Sequence, residues 1–142
     1  MEDQILVRRG WLKAMYLYTL LGAGGFGLAM LVFPGAVQTA LRFPAQDPAV
    51  FKIYGSVLLA CGLVAIPALR SPLKFVPLLV LQLVYKPVWL AAVAIPIFLR
   101  GQFPLYIVAI SAVFLTYVIG DLIAIPFSYL FPKKRSGVSD PN

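Results

Sequence analysis

Residues 75–99 read FVPLLVLQLVYKPVWLAAVAIPIFL, an almost unbroken apolar run with one lysine, Lys86, in its middle. The run exceeds the ~20 residues a helix needs to cross the hydrocarbon of a bilayer. Residues 103–131, FPLYIVAISAVFLTYVIGDLIAIPFSYLF, repeat the pattern around a single aspartate, Asp121. Working outward, Trp11–Phe33 and Ala49–Leu69 complete a set of four apolar blocks. The third and fourth, Phe75–Leu99 and Phe103–Phe131, are long enough to tilt or kink. None has the alternating ten-residue pattern of a membrane β-strand. The predicted fold is therefore all-α: a four-helix transmembrane bundle in one domain over residues 1–142, with a basic tail at 132–142. With 61% of residues hydrophobic and only 12% charged, the chain lies outside the composition of soluble globular domains.

The net charge of +7 would raise nucleic acid as a partner in a soluble protein. Here the basic residues mark segment ends rather than one face, so no nucleic acid is expected and the lipid bilayer is the surrounding partner. Four spans put the N-terminus, the second connection and the C-terminus on one side, with Arg8, Arg9, Lys13, Arg70, Lys74, Lys133, Lys134 and Arg135. The other side carries Arg42, Lys52 and Arg100. By the positive-inside rule both termini are cytoplasmic. Arg8 and Arg9 ahead of an apolar run have the form of a secretory signal, but the run is too long, and it reads as an uncleaved first span. Cys61 is the single cysteine, which excludes an intrachain disulfide and suits a small packing residue.

The connections at Arg70–Lys74 and Arg100–Gln102 are short, which predicts a compact bundle with spans two and three, and three and four, as antiparallel neighbours. The longer first connection, FPGAVQTALRFPAQDP, has room for a short interfacial helix over Gly35–Leu41. Pro67, Pro87, Pro96 and Pro126 fall within or near the ends of the last three spans, and each lacks the N–H an α-helix needs. Pro87 would leave the carbonyl of Leu83 free and Pro126 that of Leu122. Irregular backbone at membrane depth persists only where protein or water satisfies it. At Pro87 a kink and a charge coincide.

A charge at the bilayer centre costs about 2.5–3.5 kcal/mol on insertion scales, so Lys86 and Asp121 mark the candidate site. Counted from the cytoplasmic ends of their blocks, both lie about 15–17 Å deep at the helical rise, which makes an ion pair between them reasonable. Helical spacing puts Gln82, Lys86 and Trp89 or Leu90 on one face of the third span, and Phe114, Tyr117, Asp121 and Ser128 on one face of the fourth. The first span offers Gly22, Ala23, Gly24 and Gly25 at comparable depth, and the second Tyr54, Ser56 and, somewhat nearer the cytoplasm, Cys61. The expected polar centre is Lys86, Asp121, Tyr117, Gln82, Tyr54 and Ser56. Such a group can bind an anionic or amphipathic molecule, relay a proton, or hold four helices in register.

Other motifs resolve into structure. Gly22–Gly27 satisfies G-x-G-x-x-G, but that fingerprint requires a strand and a helix in a βαβ unit. Inside a span, small residues such as Ala23 with Gly27 and Gly25 with Ala29 let helices approach closely. The chain has no histidine and one intramembrane acid, so zinc, haem and di-iron ligand sets and Ser-His-Asp chemistry are not expected, and no cofactor or metal is assigned. A Ser56–Lys86 dyad remains formally open, without an oxyanion hole to mark it. Trp11, Tyr16, Phe33, Phe43, Phe103, Tyr129 and Phe131 cluster near span ends as interfacial anchors do.

The lysine in the third span, the loop Arg-Gly-x-Phe-Pro at Arg100–Pro104, and Gly-Asp-Leu-Ile-Ala-Ile-Pro-Phe at Gly120–Phe127 together resemble a loose group of uncharacterised bacterial four-helix membrane proteins. In that group an aspartate is followed five residues later by Pro-Phe, as with Asp121, Pro126 and Phe127. The resemblance implies a bacterial inner membrane and the same Lys86 and Asp121, and it carries no activity. In architecture alone the chain also resembles the DoxX-type four-helix proteins. The expected function is non-enzymatic: binding or passing a lipophilic or anionic small molecule or ion at the polar site, as a homo-oligomer or with a partner membrane subunit. The competing expectation is an accessory subunit of a larger membrane complex.

Overall fold

A computed structural model describes residues 7–132. Of these, 85% are helical and none is in a strand. Four helices are long and apolar enough to cross a membrane: the first at Arg9–Val32, the second at Pro48–Arg70, the third at Pro72–Leu99 and the fourth at Leu105–Ala124. The basic residues expected in the C-terminal tail, Lys133, Lys134 and Arg135, lie outside the described residues. Large apolar side chains cover the outer faces, among them Val57, Leu81, Val88 and Ile119, each more than half exposed. In water such a surface would aggregate, and in lipid it is solvated.

Local chemistry sets the helix ends. Asp47 caps the second helix, its Oδ1 accepting from the backbone N–H groups of Ala49 (2.9 Å) and Val50 (3.0 Å), with Pro48 at the first position. The short helix expected over Gly35–Leu41 is present at Pro34–Leu41. The third helix closes on Gly101 at φ +72, where Gln102 N–H donates to Ile97 O (3.3 Å) and Gly101 N–H to Phe98 O (2.9 Å). The fourth stops at Ala124 instead of running to Phe131. Ile125 precedes a proline and takes an extended conformation (φ −70, ψ 122), and only the four residues Phe127–Leu130 are helical beyond it.

Of the two neighbour pairs expected, the third with the fourth is present and the second with the third is sparse. The first helix packs along both the second and the fourth, and the third packs on the fourth, while the second and third touch only sparsely despite their short connection. Glycine explains the partner choice. A Cβ on Gly24 would come to 3.2 Å from Gly62 Cα, one on Gly27 to 2.5 Å from Gly55 O, and one on Gly62 would overlap Gly24 itself. The first and second helices thus touch backbone to backbone through a face that only glycine permits. Ala23 and Gly27 belong to that buried face, whereas Gly25 meets nothing within 4 Å. The third helix instead turns Lys86, Tyr85 and Trp89 inward, side chains too large for such an approach. One core cluster joins Leu12, Met15, Tyr16, Ala65, Val76 and Leu79 at the Arg70–Lys74 end; a second joins Ala23, Met30, Phe51 and Leu58 towards the other end.

Candidate functional site

Beside the second cluster lies a cavity of about 340 Å³, with walls from all four long helices and Leu41 of the short one. Its lining is almost wholly apolar and aromatic, and Lys86 is the one charged residue on it. Tyr18, Tyr54, Tyr85 and Tyr117 bring phenol rings to the same space. The volume falls at the lower end of the range for small-molecule sites, which are concave, mostly apolar and furnished with few polar groups.

Lys86 is 1% exposed. Its ammonium donates to Gln82 Oε1 at 2.7 Å, Gln82 Nε2 donates to Thr19 Oγ1 at 3.3 Å, and Thr19 donates to the Met15 carbonyl at 2.8 Å. This chain runs from the cavity to the backbone of the first helix and fixes the lysine from one side. Aromatic faces hold it from the other: Nζ lies 3.9 Å from the ring centre of Tyr117, 4.8 Å from Tyr85 and 5.7 Å from Phe114. A cation over such faces is attracted by their quadrupoles, more strongly where water is excluded. Phe114 in turn packs edge-on against Tyr85 and Trp89.

Two unusual turns flank the site. The first helix widens to a π-turn at Thr19–Gly24, where the Tyr117 hydroxyl donates to the Tyr18 carbonyl at 3.0 Å, and the two rings sit 4.1 Å apart. A side chain that claims a carbonyl of the helical ladder is a known cause of such a distortion. Gly22 leaves the room, since a Cβ there would stand 2.5 Å from the Tyr117 hydroxyl. The third helix widens at Leu90–Ala94, between Pro87 and Pro96, whose missing N–H groups deprive the Leu83 and Ala92 carbonyls of their α-helical donors. Lys86 and Pro87 themselves lie inside the α-helical stretch Val76–Trp89, so the helix widens just beyond the charge rather than at it.

The sequence-based site residues separate. Lys86, Gln82 and Tyr117 come together, and Tyr54 lines the same cavity. Ser56 does not join them: it faces outward on the second helix, and its hydroxyl donates back to Lys52 O at 2.8 Å, so the Ser56–Lys86 dyad does not form. Asp121 is fully buried but off the cavity wall, and neither carboxylate oxygen has a hydrogen-bond partner. No direct ion pair joins it to Lys86. The depth count went astray at Pro126, because residues beyond the break do not lengthen the fourth helix. Measured from the Arg100 connection instead, Lys86 and Tyr117 lie ~20 and ~18 Å along their helices, Gln82 and Asp121 ~26 and ~24 Å. The site therefore has two layers, Lys86 with Tyr117 and, one turn on, Gln82 with Asp121.

Thr19, Tyr18 and Tyr85 were not singled out from the sequence. Thr19 had a signal, a buried hydroxyl in an apolar run; Tyr85 had none, because its neighbour in sequence already occupied the inward direction. Tyr16, read as an interfacial anchor, is instead fully buried and donates to Pro72 O at 2.6 Å, pinning the first helix to the start of the third. No protein-family model matches the chain, and neither a curated protein nor a solved structure does. Among the described residues no three His, Cys, Asp or Glu side chains gather to hold a metal. The arrangement is suited to receive an apolar body and to meet one electron-rich or anionic group at its lysine.

Proposed function

We propose that this chain is a multi-pass protein of the bacterial inner membrane, a four-helix transmembrane bundle with both termini in the cytoplasm, which binds a lipophilic small molecule through one anionic head. The observation that carries the reading is the single ammonium, Lys86, on the wall of an otherwise apolar and aromatic cavity of about 340 Å³. A headgroup there meets a charge already desolvated and oriented by Gln82 and Tyr117, so little ordering remains to be done on binding. Holding and releasing such a ligand is the whole of the activity, with no bond made or broken.

The test uses the purified protein in phosphatidylcholine nanodiscs and naphthalene-2-sulfonate, a compact aromatic anion, as the probe. Loss of a charge-assisted hydrogen bond is worth about 1.5–3 kcal/mol, so Lys86→Met weakens binding by about 10- to 100-fold. Ser56→Ala, on the outer face, leaves affinity unchanged. Equal affinity of wild type and Lys86→Met contradicts the reading. The second reading, an accessory subunit, draws on the sparse contact between the second and third helices, which leaves both flanks for a partner helix. Native mass spectrometry of gently extracted protein separates the two: a fixed-stoichiometry complex favours the subunit, and a monomer or homo-oligomer retaining a small molecule favours the binder.

A further inference from the structure

We infer that Lys86 and Asp121 form a proton-linked switch, in which an anion that draws the lysine ammonium into the cavity is bound together with one proton taken up by Asp121. The inference rests on the reading that the cavity receives an anionic head at Lys86. Its own basis is the two-layer geometry. The ammonium is held by Gln82 Oε1, and the helical rise counted from the Arg100 connection puts Gln82 level with Asp121 on the third and fourth helices, which pack together. The long lysine side chain thus hangs between two anionic destinations: a ligand on the cavity side and a carboxylate one turn away.

No other group that faces Asp121 can take the place of Lys86. The first helix presents Tyr16, whose hydroxyl is committed to Pro72 O. The fourth helix presents Tyr117, committed to Tyr18 O, and the third presents Tyr85 beside Lys86. Cys61 of the second helix is buried towards the same interior, and Tyr129 of the short terminal helix is exposed. Arg8 is exposed at a smaller cavity of about 220 Å³, lined also by Leu122–Ser128. Lys86 is the one buried cation among the described residues.

With the ammonium on Gln82 both Asp121 oxygens are left without a partner. A buried carboxylate that has lost its counter-charge is disfavoured, and taking a proton relieves it. Without ligand, the ammonium one turn away offsets the charge of the carboxylate through space without bonding it. With an anion in the cavity, the ammonium compensates the anion, and the carboxylate gains a proton from water. Anion and proton enter together, so the low-dielectric interior gains no net charge.

Titration calorimetry of the full chain in nanodiscs, run at one pH in two buffers of different ionisation enthalpy, counts the protons. Naphthalene-2-sulfonate stays anionic throughout, so uptake reports the protein alone. The expected result for wild type is uptake approaching about one proton per probe, and an apparent Kd that rises by up to about tenfold per pH unit as the carboxylate competes for Lys86. Asp121→Asn removes the competitor: it binds without proton uptake, and at high pH more tightly than wild type. Binding by wild type without uptake overturns the switch and leaves the binding-site reading standing, whereas no binding overturns both. Uptake that persists in Asp121→Asn places the proton on Lys86 and overturns the assignment. If the asparagine variant does not fold, Asp121→Glu must retain uptake with a shifted pH midpoint; an unshifted midpoint contradicts the role of this carboxylate.

Discussion

Gly22 and Tyr117 should be strongly coupled, and the coupling can be worked from two distances. A methyl group at residue 22 would stand 2.5 Å from the Tyr117 hydroxyl oxygen but 3.6 Å from the ring carbon that bears it. Gly22→Ala therefore collides with one atom only. Overpacking of this kind costs about 1–3 kcal/mol, offset by up to ~1 kcal/mol from the better helix propensity of alanine. Tyr117→Phe forfeits an interhelical hydrogen bond to Tyr18 O, for which ~0.6 kcal/mol is the average in membrane proteins. In the double variant the offending oxygen is gone and the methyl group meets the ring at ordinary contact distance. The double variant should then be no less stable than Tyr117→Phe alone, a coupling of about 1–3 kcal/mol. Unfolding by SDS in mixed micelles, followed through Trp11 and Trp89, measures all four proteins. The same cycle reads the site, since the Tyr117 ring lies 3.9 Å from the Lys86 nitrogen. Probe affinity should fall in Gly22→Ala as the ring is pushed aside, and return in the double variant, where phenylalanine keeps the face. Additivity of the two changes within ~0.5 kcal/mol would refute the insertion of this hydroxyl into the first helix.

Gly62→Val should destabilise by at least the ~1–3 kcal/mol of an overpacked core, because the obstructing atom is backbone of Gly24 and cannot turn aside, whereas Gly25→Ala, with nothing within 4 Å, should be neutral or slightly stabilising in the same unfolding assay. In a Cys61→Ala background, a membrane-impermeant maleimide applied to intact cells should label Arg100→Cys but not Lys74→Cys, with the pattern reversed in inverted vesicles; the opposite result would invert the proposed topology.

How far the site was legible in the sequence depended on whether its determinants were local. The four apolar helices follow from run length alone, and the meeting of Gln82 with Lys86 follows from i, i+4 spacing on one helix. Depth along the fourth helix did not follow, because one proline ended the element at Ala124 and shortened the ruler by about two turns. Partner choice also escaped. It is decided by which helix presents a backbone-accessible face, and Gly55 and Gly62 lie seven residues apart on the second helix with no motif to announce them. The misplacement of Ser56 has the same character: an inward serine and an outward serine that bonds its own backbone read identically as letters.

These misses bear on the chemistry. A direct Lys86–Asp121 pair would satisfy both charges within the protein and leave the cavity with no electrostatic claim on a ligand. Separation by one turn, with Gln82 and Tyr117 holding the ammonium at the cavity wall, leaves the lysine half-committed and the aspartate without a partner. A fold selected only to hold helices in register gains nothing from that division, since a buried carboxylate left unpaired is a cost that an asparagine or an apolar side chain would remove. If Asp121→Asn and Asp121→Leu both raise the resistance to SDS while Asp121→Asn abolishes the pH dependence of probe binding, the carboxylate is maintained against stability for the sake of the proton. If instead both variants lose folded protein in parallel with affinity, the aspartate is a structural member of the packing and the two-layer site is a scaffold.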